Sequence, residues 1–210
     1  MSGVQRTLSC LTLPCRALVW TVAAVVLVAT GACGSPDSAS EATAAQSDLR
    51  PPITAVSHEP STPTRVVIDG QSAPTQAVAT DAQGTLLPPT DVAQLGWWVD
   101  SALPGSGAGT IVIAGHVDDV AQGTGYAARF GKLTPRSTVT IDTADGGHRA
   151  YRVARVVDAQ KKGTGGDAVP FDELNRLDGP ETLALVTCGG PFVGPPLGYR
   201  DNIVVFATPD

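Results

Sequence analysis

From Thr64 to the C-terminus, short apolar runs recur between Gly, Pro and Asp punctuation, and this rhythm restricts the chain to an all-β domain of short strands. Eight stretches read as strands: 65–68, 77–80, 96–99, 110–114, 138–142, 149–157, 182–187 and 203–208. Asp69-Gly70, Pro104-Gly105, Asp145-Gly146-Gly147 and Asp178-Gly179-Pro180 supply turns between them. Only 125–130 and 171–177, the latter following Pro170, have a helical cast. Closing so many short neighbours into a barrel removes exposed sheet edges. The expected fold is therefore all-β: a closed eight-stranded barrel with one or two short helices. Trp97 and Trp98 are adjacent, so on a strand they face opposite ways, one into the core and the other towards a groove.

One strand carries chemistry at its end. Leu183 to Val186 is an unbroken apolar run between Thr182 and Thr187, as suits a strand buried on both faces. Cys188 follows at the strand's mouth. Gly189 and Gly190 then remove side-chain bulk so that another chain can approach the sulfur, while Pro191, Pro195 and Pro196 forbid a helix. By burial preference alone Cys188 reads as a small buried hydrophobe, so its company decides. That company is a second apolar strand ending in Gly115 and His116, and Arg200 ahead of the last strand. A lone His is usually structural and a strand-end Arg usually sits on the surface. Together with a thiol they gain a purpose: an imidazole moves the proton of a thiol and of a leaving amine, and a guanidinium suits an oxyanion.

The remaining cysteines lie in or beside an N-terminal apolar segment. Residues 1–33 have the layout of an export signal, with Cys10 and Cys15 ahead of an apolar core over 17–30 that is short for a membrane span. The segment ends in Ala29-Thr30-Gly31-Ala32-Cys33, which resembles the lipobox of bacterial lipoproteins and would make Cys33 a lipidation site; an uncleaved N-terminal membrane anchor is the alternative. Both readings put the rest of the chain outside the cytoplasm, held to a membrane and facing the cell wall. Residues 34–63, rich in Ser, Ala, Thr and Pro, read as a disordered tether, with His58 solvated within it. Residues 64–210 form the domain, and there Cys188 is the only cysteine, so no disulfide can form within it. A net charge of -6 with scattered Lys and Arg gives no nucleic-acid footprint.

Three segments in order carry a family likeness. Ala114-Gly-His116-Val-Asp118, then Leu185-Val-Thr-Cys188-Gly-Gly190-Pro-Phe192, then Tyr199-Arg-Asp-Asn202 resemble the signature segments of the sortases. The similarity is to class F, or class E/F-like, sortases of actinobacteria, with Pro88-Pro89 ahead of Gly96-Trp97-Trp98 also fitting. It implies a cysteine transpeptidase that cleaves a Leu-Pro-x-Thr-Gly-like sorting signal after Thr, holds a thioester, and passes the acyl group to an amine of peptidoglycan or of another surface protein. Residue by residue, the resemblance implies Cys188 as nucleophile, His116 as acid and base, and Arg200 as donor to the substrate carbonyl or oxyanion. Thr187 and Gly189 beside the sulfur, with Phe171 and Leu174 on the loop 161–181 that would wall the groove, are the implied substrate contacts. Asp118 matches a frequent family position without an assigned duty, and His148 in a Gly-rich turn is expected to be exposed and uninvolved. A lipobox departs from the family's usual membrane-spanning anchor.

The expected partners are surface proteins with a C-terminal sorting signal, an amine acceptor, and a membrane through the N-terminus; the domain is expected to act as a monomer. No cofactor is implied, and no acidic cluster suggests a metal. Two other readings remain open from the residues: a cysteine hydrolase on the same scaffold, and a surface lipoprotein that binds a peptide without catalysis. An L,D-transpeptidase lacks support, since its Ser-His-Gly-Cys type of motif is missing.

Overall fold

The computed structural model describes residues 47–210. Its strands in chain order are β1 (Ile53–Thr54), β2 (Pro63–Ile68), β3 (Gln71–Ala79), β4 (Leu95–Trp98), β5 (Thr110–Ala114), β6 (Asp118–Asp119), β7 (Gly123–Thr124), β8 (Thr138–Thr143), β9 (His148–Gln160), β10 (Thr182–Phe192) and β11 (Tyr199–Pro209). Two 3-10 segments, Tyr126–Lys132 and Gly165–Asp167, and one short helix, α1 (Phe171–Leu174), complete the elements. No helix among the described residues is long and apolar enough to cross a membrane.

Eight strands form the ring β3-β2-β8-β9-β11-β10-β5-β4, and β4 pairs back onto β3 to close it. The expected eight-stranded barrel is thus present. Pairing is antiparallel except for β3 with β4 and β5 with β10, which run parallel. Turn chemistry sets the hairpins: Asp69 and Gly70 both have positive φ (51° and 74°), as a two-residue turn between right-twisted strands demands.

Alternation divides every central strand between two cores. Leu183 and Leu185 point into the barrel with Ile111, Ile113, Trp97 and Val205. Ala184 and Val186 point outward with Val112, Val204 and Phe206, under the segment that carries Leu174. This double burial explains why 183–186 is apolar without a break. The tryptophans divide as their adjacency requires. Trp97 is buried inside, whereas Trp98 is half-buried in the outer cluster with its indole Nε1 enclosed and unpartnered.

Three expectations need correction. The strand bearing Cys188 does not end there; β10 continues to Phe192, and its pairing with β11 slips between Gly189 and Phe192. Gly190 at φ 69° permits that bulge, so the glycines interrupt the ladder without terminating the strand. The helix expected over 171–177 stops at Leu174, and the other helical segment is a 3-10 turn. Residues 53–62, read as part of a disordered tether, are instead laid against the barrel. Ile53 and Thr54 pair with Ala79 and Val78, and the carbonyls of Pro60 and Thr62 accept from Asp145 and Ala144. The export signal with Cys10, Cys15 and Cys33, and the start of the tether, lie outside the described residues.

Candidate active site

β5, β10 and β11 lie side by side, and their register decides what meets on the outer face. Cys188 stands opposite Asn202 on β11, on the same outward face as Ala184 and Val186. On the other side, Ala114 is the parallel partner of Val186, and the amide of Gly115 donates to the Val186 carbonyl (3.0 Å). That ladder ends there, and His116 and Cys188 each follow it by two residues. The sulfur is half-buried.

The chain around His116 is held closely. A Cβ on Gly115 would come within 2.5 Å of Leu95 and 2.7 Å of Ala127, and one on Gly125 would strike the His116 carbonyl, so both positions need glycine. The imidazole Nε2 is buried and has no hydrogen-bond partner. Burial holds the imidazole below its ordinary value of 6.5, with the Pro88 backbone and the Asp119 charge pulling the other way. At neutral pH it is therefore the uncharged, proton-accepting form.

Two cations reach this face. Arg200 has the parity of Asn202, but its guanidinium is folded onto the neighbouring Asp201, Nε to Oδ1 at 2.8 Å and Nη2 to Oδ2 at 2.7 Å. Asp201 is 4% exposed, and those bonds, seconded by the charge of Lys161, hold its carboxyl below the usual carboxylate range. Lys161 follows β9 directly, and its amide donates to the Arg200 carbonyl (3.1 Å). Its ammonium donates to Cys188 Sγ at 3.4 Å and to the Leu197 carbonyl at 3.3 Å. A half-buried thiol touched by a lysine, with an uncharged imidazole following the neighbouring strand, has the residue types of nucleophilic acyl transfer.

A protein-family model, the sortase domain, matches residues 66–210, well over half of the 210-residue chain. The chain belongs to the sortase family. Its fold is similar to that of sortase C-1 from Actinomyces oris (18% identity, 73% of this chain and 74% of that one, TM-score 0.53) and of sortase C1 from Streptococcus suis (18%, 70% and 72%, 0.52). Sortase A from Corynebacterium diphtheriae aligns likewise (19%, 72% and 62%, 0.51). At these identities the likeness concerns the fold alone. Sequence comparison with curated proteins finds no match. Family and fold together make the chain a sortase-type enzyme.

The sortase domain distributes the other expected site residues unevenly. Thr187 faces the barrel interior, 3% exposed, and its hydroxyl donates to the Gly115 carbonyl at 2.8 Å. It joins the Cys and His strands from within and does not reach the groove. Gly189 is also inward, and a Cβ there would come within 2.6 Å of Ile203. Leu174 is buried in the outer cluster, whereas Phe171 is 61% exposed. The loop between β9 and β10 is moored: Thr110 Oγ1 donates to the Glu173 carbonyl (2.7 Å), Arg155 pairs with Glu173, and the same guanidinium lies 4.0 Å over the Phe206 ring. His58 is exposed, and His148 is exposed and bonded to Asp142 at 2.7 Å.

Sequence reasoning missed two members of this sortase site. Lys161 had a signal: Val157, Ala159 and Lys161 share the parity of the outer face. Tyr199 donates its hydroxyl to Asp118 at 2.6 Å and stacks edge-on against Phe192 (5.3 Å), tying the segment after His116 to the bulged end of β10. That bond gives Asp118 a duty, since it holds the two sides of the site together.

Proposed function

We propose that this sortase is a cysteine transpeptidase acting on a Leu-Pro-x-Thr-Gly-like sorting signal. The observation that supports the reading is the parallel pairing of β5 with β10, which ends two residues short of both Cys188 and an uncharged His116. In the acylation step the Cys188 proton passes to His116 as Sγ adds to the Thr carbonyl, and the C=O electron pair moves onto oxygen. Collapse of that intermediate breaks the Thr–Gly bond, and the departing amine takes the proton from His116. A thioester remains. An incoming amine of peptidoglycan or of another surface protein then gives its proton to His116 and adds to the thioester carbonyl, and the sulfur leaves, taking that proton back as the thiol. The family resemblance assigns Arg200 as donor to the oxyanion, a role that requires its guanidinium to exchange its two bonds to Asp201 for the substrate oxygen.

The finer assignment to class F, or class E/F-like, sortases rests on Pro88-Pro89 and Gly96-Trp97-Trp98. The N-terminal segment, through Cys33 or as an uncleaved anchor, holds the domain at the outer membrane surface, facing the wall. The test is intact-mass spectrometry of the full chain incubated with a Leu-Pro-x-Thr-Gly peptide library and an amine acceptor, beside Cys188→Ala. The expected result is a thioester adduct on Cys188 and an amine-linked product ending at Thr, both absent in the variant. A product released only to water would replace transpeptidase by hydrolase. Peptide retention without any adduct would replace both by a binding protein.

A further inference from the structure

The cation that touches the reacting sulfur is not the one the family likeness singles out. Arg200 has both arms of its fork on Asp201, and its charge is matched by a carboxylate that is itself buried. To reach a substrate it must leave that carboxylate unpaired in the protein, which is costly for a buried charge. Lys161 has no such commitment. Among the described residues no carboxylate forms an ion pair with it. Two of its three N–H groups go to Cys188 Sγ (3.4 Å) and the Leu197 carbonyl (3.3 Å), which leaves a donor free.

Geometry keeps the ammonium at this post. The backbone of Lys161 is pinned to Arg200 by its amide (3.1 Å), the end of β9 pairs Gln160 with Asp201 and Ala159 with Asn202, and Lys161 continues that ladder on the Asn202 face. The Leu197 carbonyl fixes the head group from the opposite side, on the loop joining β10 to β11. When Sγ bonds to a carbonyl carbon, the new oxyanion is one bond removed from that carbon, within the sweep of a flexible lysine stem already on the sulfur.

We propose that Lys161 is a catalytic residue of this sortase: its ammonium holds the Cys188 sulfur before attack and moves its hydrogen bond to the oxyanion once the sulfur–carbon bond forms. The inference rests on the transpeptidase reading and names a group that serves the same step. Lys161 acts only as a hydrogen-bond donor; the thiol proton goes to His116 and from there to the leaving amine. Arg200 becomes a secondary cation whose first duty is to satisfy Asp201.

The test pairs a turnover measurement with one that needs no sorting peptide. Steady-state kinetics of the full chain and of Lys161→Gln, Lys161→Arg and Lys162→Gln give kcat and KM; the rate of Cys188 alkylation by iodoacetamide at pH 7 reads the sulfur directly. Lys161→Gln is expected to lower kcat by about a hundredfold with KM changed less than about threefold, as for loss of an oxyanion donor. The same variant should slow alkylation by about tenfold through loss of the hydrogen bond that holds the sulfur. Lys161→Arg should recover part of both, and Lys162→Gln, whose side chain is on the exposed next residue, neither. Lys161→Gln with wild-type kcat and alkylation, in a chain that turns over peptide, overturns the role of Lys161 and leaves the transpeptidase reading standing. Slowed alkylation in a chain that turns over no peptide does the reverse, keeping Lys161 at the sulfur and removing the proposed reaction. A thermal melt matching wild type excludes misfolding as the cause of any loss.

Discussion

Burial keeps the His116 imidazole below 6.5, so at pH 7 it is uncharged, as the proposed proton transfer from Cys188 requires. Activity should persist as pH falls past 6.5 and be lost only as His116 takes up its proton at the lowered value; initial rates of the full chain across the acid range check this, and a half-height above 6.5 would assign the acid limb to another group. The stability sign follows from the same shift. Between the lowered folded value and 6.5 the unfolded chain binds a proton that the folded one does not, so stability is whole above 6.5 and declines as pH drops through that window. Thr187 offers a second check. Replacing it with Val removes the buried bond to Gly115 and should cost about 1 kcal/mol in urea unfolding, with the loss of kcat following from a loosened Cys–His spacing. Cys188 and His116 drew attention in the sequence because His116 follows an apolar run closed by Gly115, and Cys188 follows a second apolar run and Thr187, ahead of Gly189 and Gly190. The placing of Thr187 and Leu174 was not drawn from the sequence, although strict alternation already puts Thr187 on the face opposite Cys188; Leu174 depends on how a loop folds back, which no local pattern encodes.

At the scale of elements, the bulge after Gly189 governs the site more than the strand ends do. A Cβ on Gly190 would collide with the Asp201 carboxylate, in a backbone conformation that side chains rarely adopt. Gly190→Ala should lower stability by about 1–3 kcal/mol and free Arg200 from its partner, visible as a lower urea midpoint and a changed salt dependence of activity. The positions of the eight barrel strands could be read from apolar runs and turn residues, and so could the lengths of β4, β5 and β8, but not those of β3, β9, β10 and β11. β3 begins at Gln71 through Ser72, Pro74 and Gln76, polar or ring residues that the opposing strands β2 and β4 hold in place by pairing alone. β10 runs past Pro191 because the bulge relieves the ladder there. Local composition ends strands that tertiary pairing continues.

For the molecule as a whole, closure rests on a short parallel contact, Thr75 to Val78 against Leu95 to Trp98, and on a polar knot elsewhere in the barrel. The Glu181 side chain is 7% exposed and accepts from the amides of Gly105 (3.0 Å) and Gly107 (2.6 Å) and from the Tyr151 hydroxyl (2.6 Å). Burial and that bond push the Tyr151 phenol far up. Glu181→Leu strands three donors at once and should cost at least about 3 kcal/mol in chemical denaturation, whereas Tyr151→Phe, which removes one donor with the acceptor still served, should cost about 1 kcal/mol. The barrel could be anticipated from strand number, yet not its seam: two parallel pairings join segments far apart in sequence, and nothing in either segment names its mate.

That remoteness has a temporal side. Cys188 rides on β10 and His116 follows β5, strands that pair in space although β8 and β9 come between them in sequence. Such long-range pairings are the slow part of assembly. Until they form, the sulfur has neither a proton acceptor nor a cation and behaves as an ordinary cysteine. On the proposed reading, reactivity is an emergent property of the finished barrel, and an unfolded chain carries its nucleophile unarmed.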